Sequence, residues 1–220
     1  MGNEKPVIRK EDAKLVFDGK FVRVFDLEYE PGKHYMDATR RKLDDLAAVK
    51  TEEEFKKMLP DAVSCVLILD VKGQEPLLCL SQEYRFPAGQ YLLSVPAGLL
   101  DPEDAMEENP AAATAKREIM EETGICVGET DEVTVINPLL FSTPGMTDES
   151  NALVQVVLKR DKMPDMTQEG AVGGEKFDGF VLLTKEEAME TLKAGRDREG
   201  IFYSVYTWMA LMCFVTGLWR

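Results

Sequence analysis

A mixed-sheet α/β sandwich is the fold class this sequence predicts, and three observations carry that reading. Apolar strand-like runs recur at 62–71, 77–83, 133–141, 152–159 and 177–183. Helical patterns punctuate them, one opening at Asn109-Pro110, one over 185–194 and one at the C-terminus. Strands that surround two or three helices must bury one sheet face under each helix layer. Ahead of this core, 14–17 and 21–29 have strand character about Asp18-Gly19, a hairpin signal, and 35–41 reads as a third strand.

Between that antiparallel arm and the core, residues 42–59 are charged with spaced apolar positions at Leu43, Leu46, Phe55 and Leu59. Thr51 followed by Glu54 is a capping-box signature, so the stretch is expected to be an inserted helical segment. The run 62–71 ends in a Lys72-Gly73 turn, and 92–100 is a short apolar strand that breaks at Pro96-Ala97-Gly98 into a loop. Asn109 is an N-cap and Pro110 suits the first helical position. Gly124 suits the left-handed stop that ends the same helix.

Composition narrows the classes of partner. The 220 residues include 45% hydrophobic side chains, enough for a substantial core. Forty acidic against 26 basic residues give a formal charge of −14, which argues against a nucleic-acid surface. Cys65, Cys79, Cys126 and Cys213 form no CxxC pair and read as reduced residues of a cytoplasmic protein. His34 is the single histidine, which excludes a His-ligated zinc centre. No secretory leader is read at the N-terminus. Residues 201–219 carry no charge, a length that can span a bilayer. Tyr203, Ser204, Tyr206, Thr207, Thr216 and Gly217 dilute that stretch, so a buried helix is expected and no membrane partner.

The chemistry concentrates in Arg117-Glu118-Ile119-Met120-Glu121-Glu122-Thr123-Gly124-Ile125. On a helix Glu118 and Glu122 lie four apart and Glu121 three from Glu118, so the three carboxylates share one side. Like charges at that spacing destabilise a bare helix. A hard divalent cation, which prefers carboxylate and phosphate oxygens, removes the conflict.

Strand, glycine turn, long loop and carboxylate helix together resemble the box of the Nudix hydrolase family, G-x5-E-x7-R-E-U-x-E-E-x-G-U. Residues 117–125 match every fixed position of its second half. The first half departs, because Gly98 and Arg117 are 19 apart where the pattern has 14, so the loop carries five extra residues. Glu103, Asp104, Glu107 and Glu108 are the candidates for the missing first glutamate. Gln82-Glu83-Tyr84-Arg85-Phe86-Pro87 and the 142–149 loop (Ser142-Thr143-Pro144-Gly145-Met146-Thr147-Asp148-Glu149) resemble motifs of ADP-ribose pyrophosphatase-like members. Ser94 stands where those enzymes often carry a glutamate.

The resemblance implies a Nudix-type α/β/α sandwich over 61–220, preceded by an N-terminal β arm with its helical insert over 1–60. It implies Mg²⁺, or Mn²⁺, held by Glu118, Glu121, Glu122 and the Ala97 carbonyl. Arg117 would orient a neighbouring glutamate, and Arg85 and Gly98 would meet the substrate. Glu175, in the Gly173-Gly174-Glu175 loop, would be the catalytic base, with Glu169 as its alternative. The implied substrate is ADP-ribose or a related nucleoside diphosphate sugar, and the implied assembly is a homodimer. The Arg40-Arg41 pair then reads either as serving the partner's site or as a solvated basic face. A UDP- or GDP-sugar diphosphatase and a non-catalytic nucleotide sensor are the alternative readings.

Overall fold

The computed structural model describes residues 5–171 and 174–220. The chain divides into two compact units, one reaching to Asp61 and including Leu139–Asn151, the other formed by Ala62–Pro138 and Ala152–Arg220.

The first unit is built on an antiparallel sheet of β1 (Ala13–Asp18), β2 (Arg23–Glu30) and β3 (Lys33–Thr39), in that order. Phe25 and Leu27 alternate inward from β2 and pack with Ala13 and Leu46. The expected helical insert is present in short pieces. It is two 3₁₀ turns, Leu43–Asp45 and Ala47–Val49, followed by a single-turn helix α1 (Glu52–Phe55). Leu46, wholly buried between the two turns, is what the segment folds around. The capping box is present, with the Thr51 amide donating to Glu54 Oε2 at 2.8 Å and the Glu54 amide to Thr51 Oγ1 at 3.3 Å.

Arg41 is largely buried in this unit and donates to Asp61 Oδ2 at 2.7 Å and Ser150 Oγ at 3.2 Å. Arg40 pairs with Glu149 at 2.7 Å. Both arginines pair with the 139–151 segment, Arg41 largely buried and Arg40 exposed to solvent.

The second unit contains β4 (Ala62–Val71), β5 (Leu77–Arg85), β6 (Gln90–Ser94), β7 (Ala97–Leu99), α2 (Pro110–Thr123), β8 (Glu132–Phe141), β9 (Ser150–Arg160), β10 (Phe177–Leu183), α3 (Lys185–Ala194) and α4 (Val205–Thr216); β8 and β9 run across its boundary. The sheet order is β10-β5-β4-β9-β8, with β6 also pairing β5 and β7 pairing β4. β10, β5, β4, β6 and β7 pair antiparallel. The Asp61 amide bonds Ser150 O where β4 and β9 begin, and the Lys72 amide bonds Arg160 O where both end, so these two strands run parallel. The sheet is therefore mixed.

β4 is buried along nearly its whole length because both sheet faces are covered. Val63, Cys65, Leu67, Leu69 and Val71 meet Ala111, Ala115 and Ile119 of α2 on one face. α4 lies against β4 with Ala210, Leu211 and Phe214 buried, and its Thr207 hydroxyl donates to Leu93 O at 2.7 Å. Three layers result, α2 on one side of the sheet and α4 on the other.

The uncharged C-terminal run holds a helix of only twelve residues, capped by Ser204. Among the described residues no helix is long and apolar enough to cross a membrane. Cys65, Cys79 and Cys213 are buried, whereas Cys126 is exposed; all four are free thiols.

Candidate active site on the carboxylate helix

α2 begins as its sequence dictates. Asn109 Oδ1 accepts from the Ala112 amide at 3.2 Å, and Pro110 fills the first turn, where no amide donor is needed. Gly124 ends the helix in the left-handed conformation at φ 72°. Ala111, Ala115 and Ile119 fix the buried stripe on the sheet. That stripe sets the rotation of the helix, and so brings Glu118 and Glu122 to its edge, where both are almost fully buried at 4% and 3% exposure.

The Pro96-Ala97-Gly98 turn does more than break a strand. Residues 97–99 form β7, paired with Ala62, Val63 and Ser64 of β4. The segment carries no strand signal of its own; the β4 edge imposes the pairing. It lies so close to α2 that a Cβ on Gly98 would stand 1.9 Å from Glu118 Oε1. The Ala97 amide donates to Glu122 Oε1 at 3.0 Å.

Arg117 organises the helix face. Its Nη1 donates to Glu118 Oε1 at 2.7 Å and to Glu121 Oε2 at 3.3 Å. Its Nε and Nη2 grip Asp104 Oδ2 at 3.1 and 2.9 Å, and Nη2 also reaches Leu99 O at 2.8 Å. Asp104, six residues after Gly98, is therefore the acidic partner of Arg117 among the four loop candidates. Thr114 Oγ1 and the Asp101 amide complete its hydrogen bonding. The five extra residues fall after Asp104, in the stretch between it and Arg117, and they leave this contact intact.

Burial pushes the Glu118 carboxyl up to about 7, Arg117 works against that rise, and Glu121 and Glu175 add to it. Burial also raises Glu122 well above the usual carboxylate range, opposed by the Ala97 amide and reinforced by Glu83, Glu118 and Glu175. Two desolvated carboxylates with like-charged neighbours are strained as anions and eased by either a proton or a cation.

Glu175 is exposed, yet its charge acts on Glu83, Glu118 and Glu122. The register explains why. Phe177 stands opposite Glu83, and the Tyr84 amide donates to Lys176 O at 2.8 Å, so the chain just before β10 is held beside the end of β5. Glu169 is also exposed, in a loop whose Thr167 amide bonds Thr123 O at the end of α2. Gly173 lies outside the described residues. Arg85, at the exposed end of β5, pairs with Glu83 Oε2 at 2.6 Å.

Glu83 is the residue that sequence reasoning passed over. It was visible only as one letter of the Gln82–Pro87 motif. The alternation Cys79, Ser81, Glu83 was the available signal, since Cys79 belongs to the core beneath α2 and residues two apart share a face.

The donor set fits a hard divalent cation, being carboxylate oxygens without histidine or thiolate. Among the described residues no three acidic, His or Cys side chains, as they stand, close around one point. Glu118 is turned to Arg117 and Glu122 to the Ala97 amide.

With that geometry the chain's class is plain: it belongs to the NUDIX domain family, whose model matches residues 58–203. It is 34% identical over 123 residues to an uncharacterized Nudix hydrolase of Schizosaccharomyces pombe (56% of this chain, 55% of the relative). A putative nudix hydrolase of Caenorhabditis elegans is 37% identical over 142 residues (64% and 59%). An ADP-sugar pyrophosphatase of Mus musculus is 28% identical over 181 residues (82% and 75%). The matches thus span a little over half the length of the first two relatives. A crystal structure described as an ADP compounds hydrolase shares the fold at a TM-score of 0.59 and 20% identity, covering 99% of this chain and 96% of that one.

Proposed function

We propose that the protein is a Mg²⁺-dependent hydrolase of the pyrophosphate bond in ADP-ribose or a related nucleoside diphosphate sugar, releasing AMP and a sugar phosphate. The observation that carries this reading is the pair of buried carboxylates, Glu118 and Glu122, set on one edge of α2 beside a glycine turn with no room for a side chain. Divalent cations bound there would neutralise the pyrophosphate oxygens and lower the pKa of an attacking water.

The chain's own residues divide the remaining work. Glu118, Glu121, Glu122 and the Ala97 carbonyl would hold the cation, Mn²⁺ serving in place of Mg²⁺. Arg117, fixed by Asp104, keeps Glu118 and Glu121 at their stations. Arg85, with its exposed guanidinium at the end of β5, would grip a phosphate in a bidentate contact. Gly98 lets the backbone approach the carboxylates and the substrate. Glu175 would take the proton from the attacking water, its position beside the buried pair supporting it over Glu169. A homodimer, in a cytoplasmic setting, belongs to the same reading.

The mouse relative's name favours an ADP-sugar over a UDP- or GDP-sugar. Product analysis with ADP-ribose, UDP-glucose, GDP-mannose, NADH and diadenosine polyphosphates tests the substrate. Fastest release of AMP from ADP-ribose supports the assignment. Faster cleavage of another compound keeps the chemistry and replaces the substrate. Binding of nucleotide with no turnover of any member of the panel points to a sensor.

A further inference from the structure

Glu83 is an expensive residue to bury. It is 8% exposed, faces the charges of Glu122 and Glu175, and its cationic partner is Arg85, itself half exposed. A buried carboxylate beside two others does not stabilise a fold, and an apolar residue of similar size would serve packing better.

Its position follows from register. Ser81 pairs with Ser94 and Glu83 with Leu92 across β5 and β6, so Ser81, Glu83 and Ser94 lie on one face. That face is the one α2 covers, because Cys79 of the same parity packs with Ala115 and Ile119. Ser94 is buried on the same face, across the β5–β6 pairing from Ser81. A second observation is independent of the carboxylates. Ser81 Oγ, 97% buried with its residue and directly across from Ser94, has no hydrogen-bond partner among the described residues. A buried hydroxyl without a partner is destabilising, and a water or ion ligand removes that cost.

We propose that Glu83 is a further carboxylate of the cation site, reaching from β5 on the face that α2 covers, with the Ser81 hydroxyl facing the same water or ion. The inference rests on the cation-dependent reading above and adds a residue to it.

Mn²⁺ binding without substrate tests it, measured by titration calorimetry and by the loss of the free-ion paramagnetic resonance signal. The proteins are wild type, Glu83→Gln, Glu122→Gln and the double variant Glu83→Gln/Ser94→Glu. Glu83→Gln is expected to weaken Mn²⁺ binding tenfold or more, and Ser94→Glu in that background to restore most of it. Glu83→Gln is isosteric and removes a buried charge, so its thermal midpoint without metal should match or exceed wild type. Wild-type Mn²⁺ affinity in Glu83→Gln, with binding lost in Glu122→Gln, overturns the proposal while leaving the proposed function standing. Unchanged Mn²⁺ affinity with a raised KM overturns it in favour of a role confined to Arg85. Failure of the wild type to bind Mn²⁺ removes both.

Discussion

Replacing Gly98 by alanine tests the closeness of β7 to α2 with a single methyl group. The new Cβ would stand 1.9 Å from Glu118 Oε1, 2.0 Å from its Cδ and 2.3 Å from Oε2. Ordinary contact begins near 3.4 Å, so the carboxylate must retreat by about 1.5 Å. Gly98 does not adopt a positive φ, so the effect is steric and carries no backbone strain. Glu118 is buried and held at 2.7 Å by Arg117, which is itself anchored on Asp104 and Leu99 O, so the retreat also disturbs that network. Overpacking of this kind costs about 1–3 kcal/mol of stability. A misplacement of about 1 Å in a reacting constellation lowers turnover on the order of a hundredfold. Steady-state kinetics on the best substrate of the panel, with a thermal melt alongside, gives both numbers. Gly145→Ala is the control, because its Cβ would meet nothing closer than 3.7 Å. Gly98→Ala with turnover within threefold of wild type would refute the claim that this glycine exists to admit the Glu118 carboxylate.

The other predictions concern charge. Glu118 has its carboxyl raised to about 7 in the fold, so its contribution to stability is complete below the unfolded carboxylate range and lost as pH rises through 7. Without metal, the stability of wild type relative to Glu118→Gln should fall by about 3 kcal/mol between pH 4 and pH 8; a flat difference in denaturant melts would contradict the burial argument. Mg²⁺ should stabilise the wild type at pH 8 and hardly at pH 5, where protons already occupy the site. Asp104→Ala strips Arg117 of its main anchor and should cost about 2 kcal/mol, with turnover falling further than stability explains; an unchanged melt would sink that role. Glu175→Ala should lower turnover on the order of a hundredfold or more with little change in KM, and Glu169→Ala should leave both near wild type. The reverse ranking would hand the base to Glu169.

How much was legible in the sequence differs from residue to residue. Asn109, Pro110 and Gly124 bounded α2 correctly because capping is local chemistry, written within four residues of each helix end. β4 was equally plain, since a strand buried on both faces is an unbroken apolar run. β7 could not be read, because its strand state comes from the β4 edge and not from Ala97, Gly98 and Leu99. In the 42–59 insert the Thr51 capping box marked the start of α1, whereas the division of the preceding residues into two 3₁₀ turns about Leu46 had no local signal. Within the candidate site, spacing placed the three helix glutamates on one side of α2, and the family resemblance pointed to Arg117, which the structure pairs with Glu118 and Glu121. Asp104 stayed one of four candidates until the loop closed on Arg117. Glu83 stayed hidden because its neighbourhood depends on the β5–β6 register, a contact across strands that a linear motif does not record.

The most direct test of the central claim compares wild type with Glu122→Gln for AMP release from ADP-ribose, each with Mg²⁺ and with chelator. Metal-dependent release by the wild type, reduced at least a hundredfold in the variant while its fold and thermal midpoint persist, is the expected result. AMP release that survives chelation, or that Glu122→Gln leaves intact, would contradict the account, because the chemistry would then lie somewhere other than the buried carboxylates of α2.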